Sequence, residues 1–274
     1  MQVSSTESPL GKNVPYITTY SPAFLFPIAR NVKRAEMGVT NPLPFEGVDI
    51  WNAYELSWLE QTTRKPRVAM AEFYVPCQSE SLIESKSFKL YLNSLNQSTF
   101  KSETELKNIL QQDISKAVGM PVRVNFILPP FKPVQALQEF SGVYLDDLPV
   151  EITTFFPDPL LLKVESGLVT ETLYSNLLKS NCLVTGQPDW ASLFIQYHGH
   201  KINHAGLLKY IVSYREHSDL HEQCVEQIFM DILRQCAPEK LTVYARYTRR
   251  GGLDINPFRS NFQSMPANIR NFRQ

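Results

Sequence analysis

One long internal period limits the fold of this chain more than any other feature. Tyr210 lies 119 residues after Tyr91. At that spacing Phe88-Lys89-Leu90-Tyr91-Leu92 falls over Leu207-Leu208-Lys209-Tyr210-Ile211, and Ser94 over Ser213. Val122-Arg123-Val124-Asn125-Phe126 falls over Leu241-Thr242-Val243-Tyr244-Ala245. Leu106, Ile109, Leu110 and Ile114 fall over Val225, Ile228, Phe229 and Leu233. Identities are few, but the apolar pattern keeps step, and self-similarity at a fixed period marks a repeated unit. The other reading is one irregular α+β domain.

Each copy reads in the same order. Alternating segments rich in aromatic and β-branched residues, at 53–59 and 68–76 and again at 170–178 and 192–197, predict strands. Helical segments follow. In the second copy Val225, Ile228, Phe229, Ile232, Leu233 and Cys236 form one apolar stripe at helical spacing. A strand closes each copy, at 122–128 and 241–247, and one further strand is expected. The order β-β-α-α-β describes an α+β unit with helices on one face of an antiparallel sheet. Pro129-Pro130 and the segment 146–149 mark a connector, which gives units at 1–145 and 146–274. A small sheet leaves open edges, which pairing covers. Sheet-to-sheet joining and a homo-oligomer, in the simplest case a homodimer, are expected.

Composition narrows the function. Lys+Arg and Asp+Glu are 27 each, so the formal net charge is zero. A protein that grips nucleic acid carries a basic excess. The apolar stretches at 22–28 and 160–164 fall far short of the ~20 residues a membrane span needs. Four irregularly spaced cysteines without a CxxC suggest neither a disulfide scaffold nor a zinc ribbon. A reduced, cytoplasmic setting fits that usage. There is no GxGxxG and no GxxxxGK[ST] among the eleven glycines, which disfavours a Rossmann domain and a P-loop.

Several residues are candidates for chemistry, each beside a plainer reading. Cys182 follows a strand and precedes a Gly186-Gln187-Pro188 turn with Asp189 behind it. It reads as a nucleophile with its base, or as a small buried hydrophobe, as most unpaired cysteines are. A charged carboxylate raises a thiol pKa, so Asp189 suits a base at the moment of attack, not the holder of a resting thiolate. Its plainer reading is turn chemistry beside proline. His221 and Glu222 open a helix, where Asp219-x-x-Glu222 also reads as a capping box. His221 at a helix N-terminus suits a hydrogen-bond donor or proton relay. His198, His200 and His204 invite a metal, but lack a partnering cysteine or carboxylate pattern. Arg249-Arg250-Gly251-Gly252 reads as an anion cradle or a solvated turn. Glu84-Ser85-Lys86-Ser87-Phe88-Lys89-Leu90-Tyr91 offers a carboxylate, two hydroxyls and two ammoniums for a polar ring and a phosphate, or an ordinary helix start.

The copies diverge at these positions. Cys182 corresponds to Thr63, Asp189 to Met70, His221 to Ser102 and Arg250 to Phe131, while Glu84 corresponds to Asn203 and Lys86 to Ala205. Neither copy keeps the other's polar set, the pattern left by one shared site built from two halves.

The stretch Glu84-Ser85-Lys86-Ser87-Phe88-Lys89-Leu90-Tyr91 resembles the signature of the QueF family of NADPH-dependent nitrile reductases. So do Ser180-Asn181-Cys182 with Gln187-Pro188-Asp189-Trp190, then Leu220-His221-Glu222-Gln223-Cys224, and the run from Tyr247 to Pro257. The likeness runs from about Gly38 onward. It is to the long form, in which two tandem tunnelling-fold (T-fold) units share a chain. It implies reduction of 7-cyano-7-deazaguanine to 7-aminomethyl-7-deazaguanine, on the route to the tRNA nucleoside queuosine, with NADPH as co-substrate and no metal. By the same resemblance Cys182 forms a covalent thioimide, Asp189 moves protons, and His221 flanks the reacting group. Glu84 and Glu222 hold the ring, Ile83 and Ser85 line it, and Ser85, Lys86, Arg250 and Gly251 contact NADPH. The substrate is a free base, so neutral net charge is no objection. Two other readings compete: a T-fold enzyme similar to GTP cyclohydrolase I, which would need zinc ligands this sequence lacks, and a non-catalytic purine-binding or assembly protein.

Overall fold

A computed structural model describes residues 17–131, 137–183 and 185–274. The polar opening stretch 1–5 and Val184 of the cysteine loop lie outside the described residues. The chain forms two compact units. The first comprises the described residues of Met1–Arg34, Asp49–Val134 and Arg249–Asp254, and the second those of Ala35–Val48, Gln135–Thr248 and Ile255–Gln274. The division is therefore not a single cut along the chain: two strands contribute residues to both units.

In chain order the first unit draws on β1 (Pro27–Ala29), α1 (Arg30–Glu36), β2 (Glu46–Glu60), β3 (Pro66–Pro76), β4 (Ser81–Ile83), α2 (Ser85–Asn93), β5 (Thr99–Phe100), α3 (Glu103–Val118) and β6 (Arg123–Ile127). Its sheet runs β6-β3-β2. β3 and β6 pair antiparallel from Met70↔Ile127 to Tyr74↔Arg123. β5 adds a short parallel pair to β2 at Leu59↔Thr99. Phe88 of α2 is buried and meets Trp51 and Phe73 edge-on at 5.0 and 5.1 Å. That fixes α2 on one face of β2 and β3, and each such aromatic pair adds about 0.5–1.5 kcal/mol beyond its buried area. α3 starts where the Ser102 hydroxyl accepts from Glu105 N. It stops at Gly119, whose φ of +77° lies in the left-handed region that glycine adopts without strain. The two helices are tied by Tyr91, whose hydroxyl donates to Asp113 at 2.7 Å.

Expected strand 53–59 is the second half of a longer β2. Its first half hides from a period-two reading because polar residues are buried there. Asp49 pairs with Arg30 at 2.5 Å, and Asn52 and Tyr54 both donate to Asp254.

The second unit contains β7 (Val143–Tyr144), β8 (Val164–Asn181), β9 (Pro188–Ile202), α4 (His204–Ser213), α5 (His221–Cys236), β10 (Lys240–Tyr247) and β11 (Leu253–Ser260), the last from Ile255 on. Its sheet runs β11-β10-β9-β8-β7. β8 and β9 form a long antiparallel hairpin ending at Asn181↔Pro188. β10 runs antiparallel to β9, with Tyr247 opposite Ala191. The α5 stripe is buried at Val225, Ile228, Phe229, Ile232 and Cys236, as expected, and only Leu233 is half-buried. Here too a tyrosine ties the helices: Tyr210 donates to Asp231 at 2.6 Å.

Shifted by the 119-residue period, α2 falls on α4 and α3 on α5 to within one residue. The expected further strand is β11 in the second unit. After β6 the first unit holds, among the described residues, the opening two residues of β11, Leu253 and Asp254. Wholly antiparallel sheets were expected, and the α+β sheets are instead mixed: β7 pairs parallel to β8, as β5 does to β2. These additions are two residues long, too short to leave a pattern. No helix among the described residues is long and apolar enough to cross a membrane.

Candidate active site

In the second unit the candidate residues meet where a hairpin turn lies beside a helix start. β8 ends at Asn181, and the loop closes tightly: Cys182 N donates to the Gln187 carbonyl at 2.8 Å, and Gly186 N to the Cys182 carbonyl at 3.0 Å. Gly186 has φ +64°, which the closed turn requires. Across the hairpin Ser180 faces Asp189. Cys182 follows directly on the end of β8, two residues beyond Ser180. Cys182 is half-buried, whereas Cys77, Cys224 and Cys236 are buried. Asp189 is 6% exposed.

The segment before α5 is stitched to this hairpin. Asn181 N donates to the His217 carbonyl at 2.8 Å, and Asp219 N to the Asn181 carbonyl at 3.3 Å. That stitching delivers His221 and Glu222 to the hairpin. His221 Nε2 lies 3.3 Å from Asp189 Oδ2, and its ring stacks flat on Tyr247 at 3.8 Å. Glu222 is 3% exposed. The capping-box reading of Asp219 and Glu222 is corrected here. The helix starts one residue later, at His221, and its N-cap is Leu220, whose N–H donates to Asp219 Oδ1 and to Gln223 Oε1. Glu222 thus sits in the first turn with its carboxylate not committed to a box, in a region where the helix dipole favours an anion.

Beneath these groups lie Ser180, Cys224 and Tyr247. Burial, and next Asp219, pushes the Cys224 thiol well up. Burial, then Cys224 and Asp189, does the same to the Tyr247 phenol. Both stay neutral at physiological pH.

In the first unit Ile83 ends β4, and Glu84 caps α2. Glu84 is 1% exposed, and its two carboxylate oxygens accept from Lys86 N and Ser87 N, both at 2.7 Å. The plain helix-start reading of Glu84 therefore holds as far as it goes. Each oxygen keeps a second lone pair for another donor. Ser85 and Lys86 are half-buried on the first turn. The turn at Arg250 closes as Arg250 N donates to the Leu253 carbonyl at 3.0 Å. Gly251, at φ +60°, packs on α2: a Cβ there would lie 3.3 Å from Lys89 Cδ. Lys86 and Lys89 are one turn apart and share a helix face. Two lysines, Arg250, a glycine turn and a helix N-terminus suit a phosphorylated dinucleotide.

The remaining candidates sit elsewhere. His204 Nε2 is 3.0 Å from Glu171, and His198 Nδ1 is 2.9 Å from the Thr170 hydroxyl. No group of three or more metal-ligating side chains occurs among the described residues. Cys236 is core, its thiol pushed by burial up to about 11. Sequence reasoning placed Tyr247 at a strand end and at the head of a motif run but gave it no part in the site. Its parity with Val243 and Ala245 on β10 was the available signal for which face it occupies.

Comparison with known proteins follows the same lines. Residues 16–126 match the family described as nitrile reductase, 7-cyano-7-deazaguanine-reductase N-term, and residues 188–265 match the QueF-like protein family. The chain is 56% identical over 271 residues to an NADPH-dependent 7-cyano-7-deazaguanine reductase of Bordetella avium, covering 98% of this chain and 99% of that one. It is 54% identical over 274 residues to the enzyme of that name from Bordetella pertussis, covering 99% and 100%. It is 54% identical over 272 residues to the one from Cupriavidus pinatubonensis, covering 97% and 98%.

Proposed function

From the premise that the chain belongs to the QueF family of NADPH-dependent 7-cyano-7-deazaguanine reductases, we infer that it reduces the nitrile of 7-cyano-7-deazaguanine to the primary amine, in queuosine biosynthesis, with Cys182 as nucleophile. The observation that carries the residue assignment is the setting of Cys182. It is the half-buried cysteine, on the closed turn of a hairpin whose returning strand carries a buried Asp189 in contact with His221.

A nitrile accepts hydride poorly. Attack by the Cys182 sulfur on the nitrile carbon forms a C–S bond, and the nitrogen takes the proton that the thiol gives up through Asp189. The resulting thioimide has a C=N carbon able to accept hydride. Collapse of the reduced adduct breaks the C–S bond, returns the thiol and leaves an imine. NADPH supplies one hydride to the thioimide and one to the imine, so the nitrile gains two hydrides and two protons. Asp189 and His221 hold and pass the protons at the nitrogen. Their contact lets His221 stabilise the carboxylate when it is charged and relay a proton when it is not.

Glu84 and Glu222 are assigned to the ring, whose N–H groups a carboxylate accepts well. Ile83 and Ser85 line it. Ser85, Lys86, Arg250 and Gly251 are assigned to NADPH, whose 2′-phosphate wants fixed positive charge. The doubled β-β-α-α-β order supports reading each unit as a T-fold, and the open edges support a homodimer. A reduced, cytoplasmic setting would keep Cys182 a thiol, and no direct contact with nucleic acid is needed for a free base.

The test is NADPH oxidation against the nitrile. Two NADPH consumed per amine, with Cys182→Ala folded but inactive and forming no adduct, is the expected result. Appreciable nitrile reduction by Cys182→Ala would overturn the assignment.

A further inference from the structure

We propose that Tyr247 is a positioning residue for the reaction: its ring sets the plane of the His221 imidazole so that Nε2 stays aimed at Asp189. The proposal rests on the assignment of His221 and Asp189 to proton transfer.

The imidazole has few other constraints. Its Nε2 lies 3.3 Å from Asp189 Oδ2, while Nδ1 is buried with no hydrogen-bond partner among the described residues. One polar contact fixes a point on the ring, not its plane. The plane is set by Tyr247, stacked at 3.8 Å with the two rings 6° from parallel. Such a stack suits an imidazole in either protonation state, through π contact when neutral and cation–π attraction when charged.

Tyr247 is itself held on every side. Its backbone N–H donates to Asn256 Oδ1 at 3.1 Å, and its carbonyl accepts from Gln274 Nε2 at 2.8 Å. Gln274 Nε2 also donates to Asn256 Oδ1, and its Oε1 accepts from Arg246 Nε, both at 2.8 Å. The Tyr247 side chain is fully buried. Its hydroxyl makes no well-formed hydrogen bond among the described residues, and burial holds it as a phenol. A group so placed is a poor proton donor. The ring, rather than the hydroxyl, is the working part.

The experiment compares Tyr247→Phe, which keeps the ring, with Tyr247→Leu, which removes it, in the full-length protein. Tyr247→Phe should retain kcat within about threefold. Tyr247→Leu should lose about 10²-fold in kcat, with KM for the nitrile near wild type, the scale of penalty for a misaligned catalytic group. In parallel, the His221 ring-proton NMR signals, identified by their loss in His221→Gln, should be shifted upfield in wild type and in Tyr247→Phe. A folded Tyr247→Leu with wild-type kcat would overturn the proposal, as would a Tyr247→Phe variant as impaired as Leu. If Tyr247→Leu does not fold, His221 signals without an upfield shift in wild type would overturn it. These signals report the stack whether or not the nitrile is turned over, so failure of the activity reading and failure of the stack are distinguishable.

Discussion

Arg259 Nη2 and Glu226 Oε1 meet at 2.8 Å with side-chain exposures of 0% and 3%, joining β11 to the middle of α5. The Arg259 Nε also reaches Glu226 Oε1 at 3.0 Å. This ion pair lies on the helix that presents His221 and Glu222, one turn on from Glu222. Removing one partner leaves a buried charge uncompensated and costs about 3–5 kcal/mol, while replacing both by apolar residues of similar size can be neutral. Glu226→Leu should lower the denaturation midpoint sharply, and Glu226→Leu with Arg259→Met should recover most of the loss. Thermal or urea unfolding of the three proteins checks this.

Reactivity should separate the cysteines. Burial pushes Cys236 up to about 11 and Cys224 well above the ordinary thiol value, so both are neutral thiols at neutral pH. Cys77 is fully buried. A thiol must be accessible and ionise to be alkylated, so iodoacetamide at pH 7–8 should label Cys182 first. Preincubation with the nitrile should block that labelling. Peptide mapping by mass spectrometry reads both outcomes.

Asp189→Asn should lower kcat by about 10²–10⁴-fold, the usual scale for losing a general acid–base. The amide keeps the shape and still reaches His221, so substrate binding should change much less. Steady-state kinetics that put the loss mainly in KM would argue against a proton-transfer role.

Glu222→Gln should act in the opposite sense. Losing a charge-assisted hydrogen bond costs about 1.5–3 kcal/mol, which is roughly a 10- to 150-fold weaker hold on the ring. Titration calorimetry with the nitrile, using Cys182→Ala as the background to prevent the adduct, isolates that effect from chemistry.

Gly252→Ala should destabilise the first unit and weaken NADPH binding together. Gly252 has φ +71°, and a Cβ there would fall 2.3 Å from the Glu55 Cδ. A non-glycine in that region costs of order 1–3 kcal/mol, and the turn holding Arg250 and Gly251 would have to shift. A raised KM for NADPH with a lowered melting temperature is the expected pair of readings.

Much of this was legible because it is periodic. The α5 stripe and the 119-residue spacing of Tyr91 and Tyr210 each rest on repetition, and the helices fall where that spacing puts them. Buried polar groups were not legible. Asp49 and Asn52 broke the alternation of β2 and hid its first half. Glu226 and Asp231 sit inside α5 as buried acids, which their partners explain: Arg259 for Glu226, and Tyr210 with Gln227 for Asp231. At the site, motif residues could be listed from sequence, but the flat contact of Tyr247 with His221 depends on strand register and helix placement. The capping box at Asp219 misled because a one-residue shift of a helix start is invisible to a spacing rule.

The tyrosine–aspartate tie between helices occurs in both units, Tyr91 to Asp113 and Tyr210 to Asp231, while the groups at the helix starts differ completely. With the site residues assigned as proposed, stability and chemistry are drawn from different turns of the same helices. A scaffold organised this way can exchange its reactive end groups and keep its anchorage, so a redesign of substrate preference has room to work at the helix starts so long as the deeper turns are left alone.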